Sequence, residues 1–82
     1  MDELLARLTS LEYTIEDEHS PACGLARHAL ERYKYGVDTA EEVLLEINES
    51  IANLEDSIAK FGETYSTRQA AQALAEAAAI VN

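Results

Sequence analysis

Apolar residues recur along this chain at helical spacing, and no stretch alternates with the period of a strand. Leu4, Leu8, Leu11 and Ile15 are separated by four, three and four positions, which places them on one side of a helix over about residues 2–18. Asp2 and Glu3 suit its positive N-terminal end. Glu16, Asp17 and Glu18 fall at the other end, where the helix dipole disfavours negative charge, so that end is expected to fray.

Ser20-Pro21 predicts a second helix, because serine is a favoured N-cap and proline at the first helical position gives up no hydrogen bond. Ala22, Leu25, Ala26, Ala29, Leu30 and Tyr33 are expected on its core face, with Gly36 as the stop. The third segment carries the clearest periodicity. Ala40, Leu44, Ile47, Ile51, Leu54, Ile58 and Phe61 alternate spacings of four and three, a heptad pattern that predicts a helix of about 22 residues, roughly 33 Å long. Asp38 with Glu41, or Thr39 with Glu42, supplies a capping box, and Gly62 ends the helix. Ser66 with Gln69 opens a fourth, alanine-rich helix over residues 67–81, with Ala70, Leu74, Ala77 and Val81 on one side. Short connections favour antiparallel neighbours. The pattern therefore predicts an all-α fold: one domain over residues 1–82, a compact bundle of four helices with the long third helix as its spine.

Composition sharpens this picture. Hydrophobic residues make up 48% of the 82 positions, but 14 of them are alanine and only 20 are Leu, Ile, Val, Met or Phe. A core this thin gives a single small domain a narrow stability margin, so a homodimer or a hetero-complex is expected. The net charge is −10, with six Lys plus Arg against sixteen Asp plus Glu. Such a surface repels nucleic-acid phosphates and anionic lipid headgroups, which argues against direct binding to either. No apolar run is long enough to cross a membrane, and the acidic start lacks signal-peptide character, so a cytoplasmic location is expected. The lone Cys23 agrees with a reducing compartment.

The candidate chemistry is sparse. Glu16-x-x-His19 has the spacing of half a di-iron carboxylate motif. Glu16, however, projects about 120° from the apolar stripe, and the motif occurs once, so both residues read as surface positions. His19, Cys23 and His28 are zinc-compatible types, yet a structural zinc needs four converging ligands, and Cys23 and His28 differ by about 140° in helical phase. Cys23 reads instead as a small, half-buried packing residue, since acidic surroundings oppose the thiolate that a nucleophile requires. The core stripes contain no polar group of the kind acid–base catalysis uses, and there is no glycine-rich phosphate loop. No catalytic residue, metal ligand or cofactor is expected, and the chain does not read as an enzyme.

Ser66-Thr67-Arg68-Gln69-Ala70-Ala71-Gln72-Ala73-Leu74 resembles the opening helix of the helix-turn-helix in excisionase-like and MerR-like regulators. That family implies a DNA-binding role through a basic recognition helix after a glycine turn. Here Ala75-Glu76-Ala77-Ala78-Ala79 continues the helix instead, and the DNA-binding role is not carried over.

What remains is surface. On the face of the third helix opposite its heptad stripe, Glu42, Glu46, Glu49 and Asp56 form an acidic ridge, joined by Glu16, Asp17 and Glu18 as a second acidic region. Beside the ridge, Leu45, Ala52 and Ala59 repeat every seven residues and offer a second helix a close approach, a candidate oligomer interface. Tyr13 and Tyr35 are further contact candidates, while Tyr33 falls on the core face. The ridge has two readings: a solvated face that keeps the protein soluble, or a set of carboxylates that imitates nucleic-acid phosphates and occupies a basic protein surface. The expected function is a non-enzymatic interaction protein that binds a basic protein surface, in the manner of a nucleic-acid-mimicking inhibitor. In size and charge it resembles phage-encoded antagonists of host defence. A structural adaptor subunit that assembles through the heptad face of the third helix, the acids serving solubility, is the alternative, and a metal-carboxylate bundle the third.

Overall fold

In the computed structural model, which describes residues 1–82, the chain forms α1 (Asp2–Thr14), α2 (Ser20–Lys34), α3 (Ala40–Phe61) and α4 (Tyr65–Val81), with no strand. Cross-links between elements show that they run antiparallel in sequence order. Lys34 at the end of α2 pairs with Asp2 at the start of α1, while the Ser20 hydroxyl at the start of α2 donates to the Glu12 carbonyl near the end of α1. Arg32 reaches Glu46, and His19 meets Ser57, which aligns α2 and α3 head to tail. Arg7 pairs with Glu76 and joins α1 to α4.

The cross-section is not square. Each helix touches its two sequential or cyclic neighbours, and α2 also touches α4 across the bundle, whereas α1 and α3 have no backbone contact. The reason lies in side-chain size. The buried faces of α2 and α4 are built largely from Ala22, Cys23, Ala26 and Ala29 and from Ala70, Ala73 and Ala77, which let two backbones approach more closely than leucines would. Larger residues fill the space around this short diagonal: Leu4, Leu8 and Ile15 from the α1 side, Leu30 from α2, Val43, Ile47 and Leu54 from α3, Leu74 and Val81 from α4. The domain measures 35 × 21 × 17 Å. At roughly 1.5 Å per residue α3 runs nearly its full length. It therefore serves as the spine for α2 and α4, with α1 lying across from it.

Three boundaries differ from the periodicity. α1 stops at Thr14, not near residue 18; Ile15 is extended, with ψ 158°, and turns its side chain into the core. Glu16, Asp17 and Glu18 thus lie in the turn to α2, just ahead of that helix's positive N-terminal end. α2 begins one residue earlier than expected, with His19 at the N-cap position, because the Ser20 hydroxyl is used on the α1 carbonyl. α4 begins at Tyr65 under a reciprocal cap between Thr64 and Thr67, not Ser66 and Gln69. The Thr39 cap of α3 forms as expected, accepting from the Glu42 amide.

Two faces are rotated from the expected stripes. Leu25 is 44% exposed, because the wide small-residue face of α2 extends toward Cys23 and Leu30 instead. On α3 the buried positions are Val43, Ile47, Ser50 and Leu54; Leu44, Ile51 and Ile58 are half-buried, and Phe61 projects into solvent. Ser50 tolerates burial because its hydroxyl donates to the Glu46 carbonyl one turn back. The close α2–α4 diagonal sets a size limit. Ala26→Leu and Ala73→Leu are each expected to destabilise the fold by about 1–3 kcal/mol, whereas Leu at exposed Ala75 changes stability little; urea unfolding of the three variants measures the difference.

Candidate protein-binding surface

The charge of the chain is distributed by a simple division. Segment by segment, α2 holds the basic residues Arg27, Arg32 and Lys34, and it lies between acidic α1 and α3. Arg27 pairs with Glu12 of α1 and with Glu31 one turn along; Arg32 pairs with Asp38 and Glu46; Lys34 pairs with Asp2. These partners hold the Arg27 and Arg32 guanidiniums and the Lys34 ammonium above their ordinary values, chiefly through the hydrogen bonds that they donate to Glu12, Asp38 and Asp2 respectively. The Asp2 and Glu76 carboxyls are held below the usual range by hydrogen bonds from Lys34 and Arg7. Gly24 belongs to this arrangement, since a Cβ there would stand 3.0 Å from the Glu12 carboxylate.

Five of the six cations are consumed in this way, with Arg68 the exception. Seven carboxylates share them, and nine have no cation within ion-pair distance. The expected ridge is divided by this. Glu42, Glu49 and Asp56 are exposed on the outer side of α3, whereas Glu46 leans toward α2 and is half-buried against Arg32. Asp56 pairs only with Lys60, one turn along the same helix. Glu46 thus belongs to the α2–α3 contact and not to the free surface.

The second acidic region lies elsewhere. Glu16 is half-buried and accepts from the Thr64 hydroxyl at 3.4 Å, and neighbouring His19 meets Ser57, so the turn sits at the C-terminal end of α3. Asp17 and Glu18 are exposed there. Glu42 is some fifteen residues, or about 22 Å, up the helix. The two regions do not merge into one patch, though Asp56 lies toward the turn.

Periodicity alone missed the other acidic residues of α3. Glu41 and Glu55 are exposed and unpaired, and with Asn48 they repeat every seven residues on the far side of Leu45, Ala52 and Ala59. The same sevenfold spacing that marked the ridge would have marked this row. Leu45 is 66% exposed, and Ala52 and Ala59 are exposed beside it. Tyr13 and Tyr35 are also open to solvent, and Tyr33 packs partly against the core.

Two residues expected near the surface are buried. His19 is 1% exposed, with its Nδ1 3.0 Å from the Ser57 Oγ and its ring edge-on to Phe61. Because the Ser57 Oγ lies 3.1 Å from both the Asn53 and the Leu54 carbonyl, either of which can accept its proton, we assign the His19 tautomer in which Nδ1–H donates to Oγ. Cys23 is fully buried, not half-buried; burial, with Glu12 nearby, pushes its thiol from 9.0 up to about 11. His28 is exposed, so His19, Cys23 and His28 do not converge. No three His, Cys, Asp or Glu side chains are grouped to hold a metal ion, and the surface has no pocket. No helix is long and apolar enough to cross a membrane. None of the protein families, curated proteins or solved structures compared with the chain matches it.

Ser57→Ala leaves the buried His19 N–H without its acceptor and is expected to cost about 1–3 kcal/mol in urea unfolding; an unchanged midpoint excludes the bond. The raised Cys23 pKa means the folded state holds this proton more tightly than the unfolded chain. Its stabilisation is complete below pH 9.0 and is lost as pH rises toward about 11. Cys23→Ala is expected to flatten that alkaline loss, and at pH 8 an alkylating reagent should label the native thiol far more slowly than the unfolded one.

Proposed function

We propose that this chain is a non-enzymatic interaction protein whose outward carboxylates bind a basic protein surface and so compete with nucleic acid for it. One observation carries the reading: nine carboxylates have no cation in ion-pair contact, although five of six cations are paired within the fold. Eight of these nine are exposed, so the attraction they can offer is directed outward, and α3 presents Glu42 and Glu49 along one rigid line that Asp56, paired only with Lys60, continues. Successive residues in that row are about 10 Å apart along the axis. A partner that binds nucleic acid carries Lys and Arg placed for phosphates, and carboxylates fixed on a helix engage the same donors. Action as an inhibitor of the kind carried by phages against host defence is the biological form this chemistry fits.

A second reading is an adaptor subunit: the heptad face of α3 packs against the core of its own fold, so assembly as a homodimer or hetero-complex would use Leu45, Ala52 and Ala59, and the exposure of Leu45 favours this.

The mimic reading is tested by displacement of labelled duplex DNA from a panel of basic nucleic-acid-binding domains. The chain is expected to displace DNA from its target with a potency that falls as salt rises from about 50 to 300 mM. The variant Glu42→Gln/Glu49→Gln/Asp56→Asn is expected to need at least about tenfold more protein. Displacement that is indifferent to both salt and the variant, or no displacement across the panel, overturns the reading.

A further inference from the structure

The outer side of α3 is organised as a docking seam as well as a charged face. Leu45, Ala52 and Ala59 form its centre, and a polar row runs on each side at about 40–60° of helical phase. Glu42, Glu49 and Asp56 make one row, and Glu41, Asn48 and Glu55 make the other. All nine positions share the sevenfold repeat of helix–helix packing, and all are exposed. The opposite face of the same helix is already used by the core, and α1 does not approach α3, so no other part of the chain covers this seam.

Charge selects the occupant. Glu41, Glu42, Glu49 and Glu55 meet no cation, and Asp56 meets only Lys60 of its own helix. A second copy of this chain would set acidic rows against acidic rows in either orientation, and like charges across such flanks oppose pairing. A helix whose apolar seam is bordered by Lys and Arg satisfies both rows at once. Leucine in the first seam position gives it an anchor, and alanine in the next two allows its backbone to come close. We propose that the outer face of α3 docks an amphipathic helix of a partner protein, with an apolar stripe flanked by basic residues, in a coiled-coil-like pairing. The proposal rests on the reading above that the partner is basic, and it adds that the recognised element is helical and touches the neutral seam.

The test uses two synthetic peptides of equal composition and about 21 residues, the length of three heptads. One has Leu at its seam positions bordered by Lys and Arg; the other has the same residues scrambled so that no apolar stripe remains. Binding to the full chain is followed by calorimetry, and helicity by circular dichroism. The patterned peptide is expected to bind at least about tenfold more tightly than the scrambled one and to gain helix on binding. Leu45→Ser/Ala52→Gln, which leaves the charge unchanged, is expected to abolish that preference while leaving the weak binding of the scrambled peptide intact. Equal binding of both peptides, unaffected by this variant, overturns the helical seam and leaves the basic-partner reading standing. Failure of both peptides to bind at low salt overturns both. A chain that sediments as a dimer, and becomes monomeric on Leu45→Ser/Ala52→Gln, assigns the seam to a second copy and also overturns the proposal.

Discussion

The close approach of α2 to α4 is the constraint on which the rest of the bundle depends. The buried faces of α2 and α4 carry six alanines and Cys23, and side chains this small allow the two backbones to draw together and exclude water. A four-helix section with one short diagonal has one long diagonal. That geometry separates α1 from α3 and assigns the larger residues to the flanks of the alanine layer. It also explains how a chain with only 20 large aliphatic, Met or Phe residues closes a core without a fifth element: the core is made narrow instead of being filled.

The same arrangement organises the charges. Once α2 lies between α1 and α3, its three cations stand between the two acidic helices, and Arg27, Arg32 and Lys34 each bridge outward from α2. Exposed pairs of this kind contribute little stability individually, about 0–1 kcal/mol. Their effect is on register, because the α3 carboxylate that faces α2 is matched across the contact and most of those facing away have no cation. Glu46 and Glu49 illustrate the division. Both belong to the acidic ridge in sequence, but one leans toward Arg32 and the other toward solvent. Packing thereby divides a net charge of −10 into a paired interior boundary and an unpaired outer face.

The α1–α2 turn shows how a buried polar group can stabilise a junction. His19 carries its imidazole into the space beside α3, and in the assigned tautomer Ser57 Oγ accepts a hydrogen bond from Nδ1–H while its own hydroxyl donates to a helix carbonyl. Thr64 and Glu16 join the α3–α4 connection to the same turn. With Ile15 turned inward, these contacts close one end of the bundle. They also hold the second acidic region, Asp17 and Glu18, away from the N-terminal half of α3.

Sequence by itself determined the number, order and approximate extent of the helices, the Thr39 cap, the Gly62 stop and the inward face of α4. Each follows from interactions within a few residues: 3.6-residue periodicity, caps and glycine at positive φ. It also determined that α3 carries a charged ridge beside a sevenfold seam, since phase on one helix needs no knowledge of neighbours. Tertiary structure alone decided which apolar residues are buried, because Leu25 and Phe61 carry the hydrophobicity of core residues but stand where no helix covers them, whereas His19 is covered. It decided too where α1 ends, for the Ser20 hydroxyl donates back to the Glu12 carbonyl and the Ile15 side chain is drawn into the core. Above all it decided which carboxylates are free. Pairing depends on which helix faces which, a consequence of the alanine-lined diagonal that no local pattern in the chain contains.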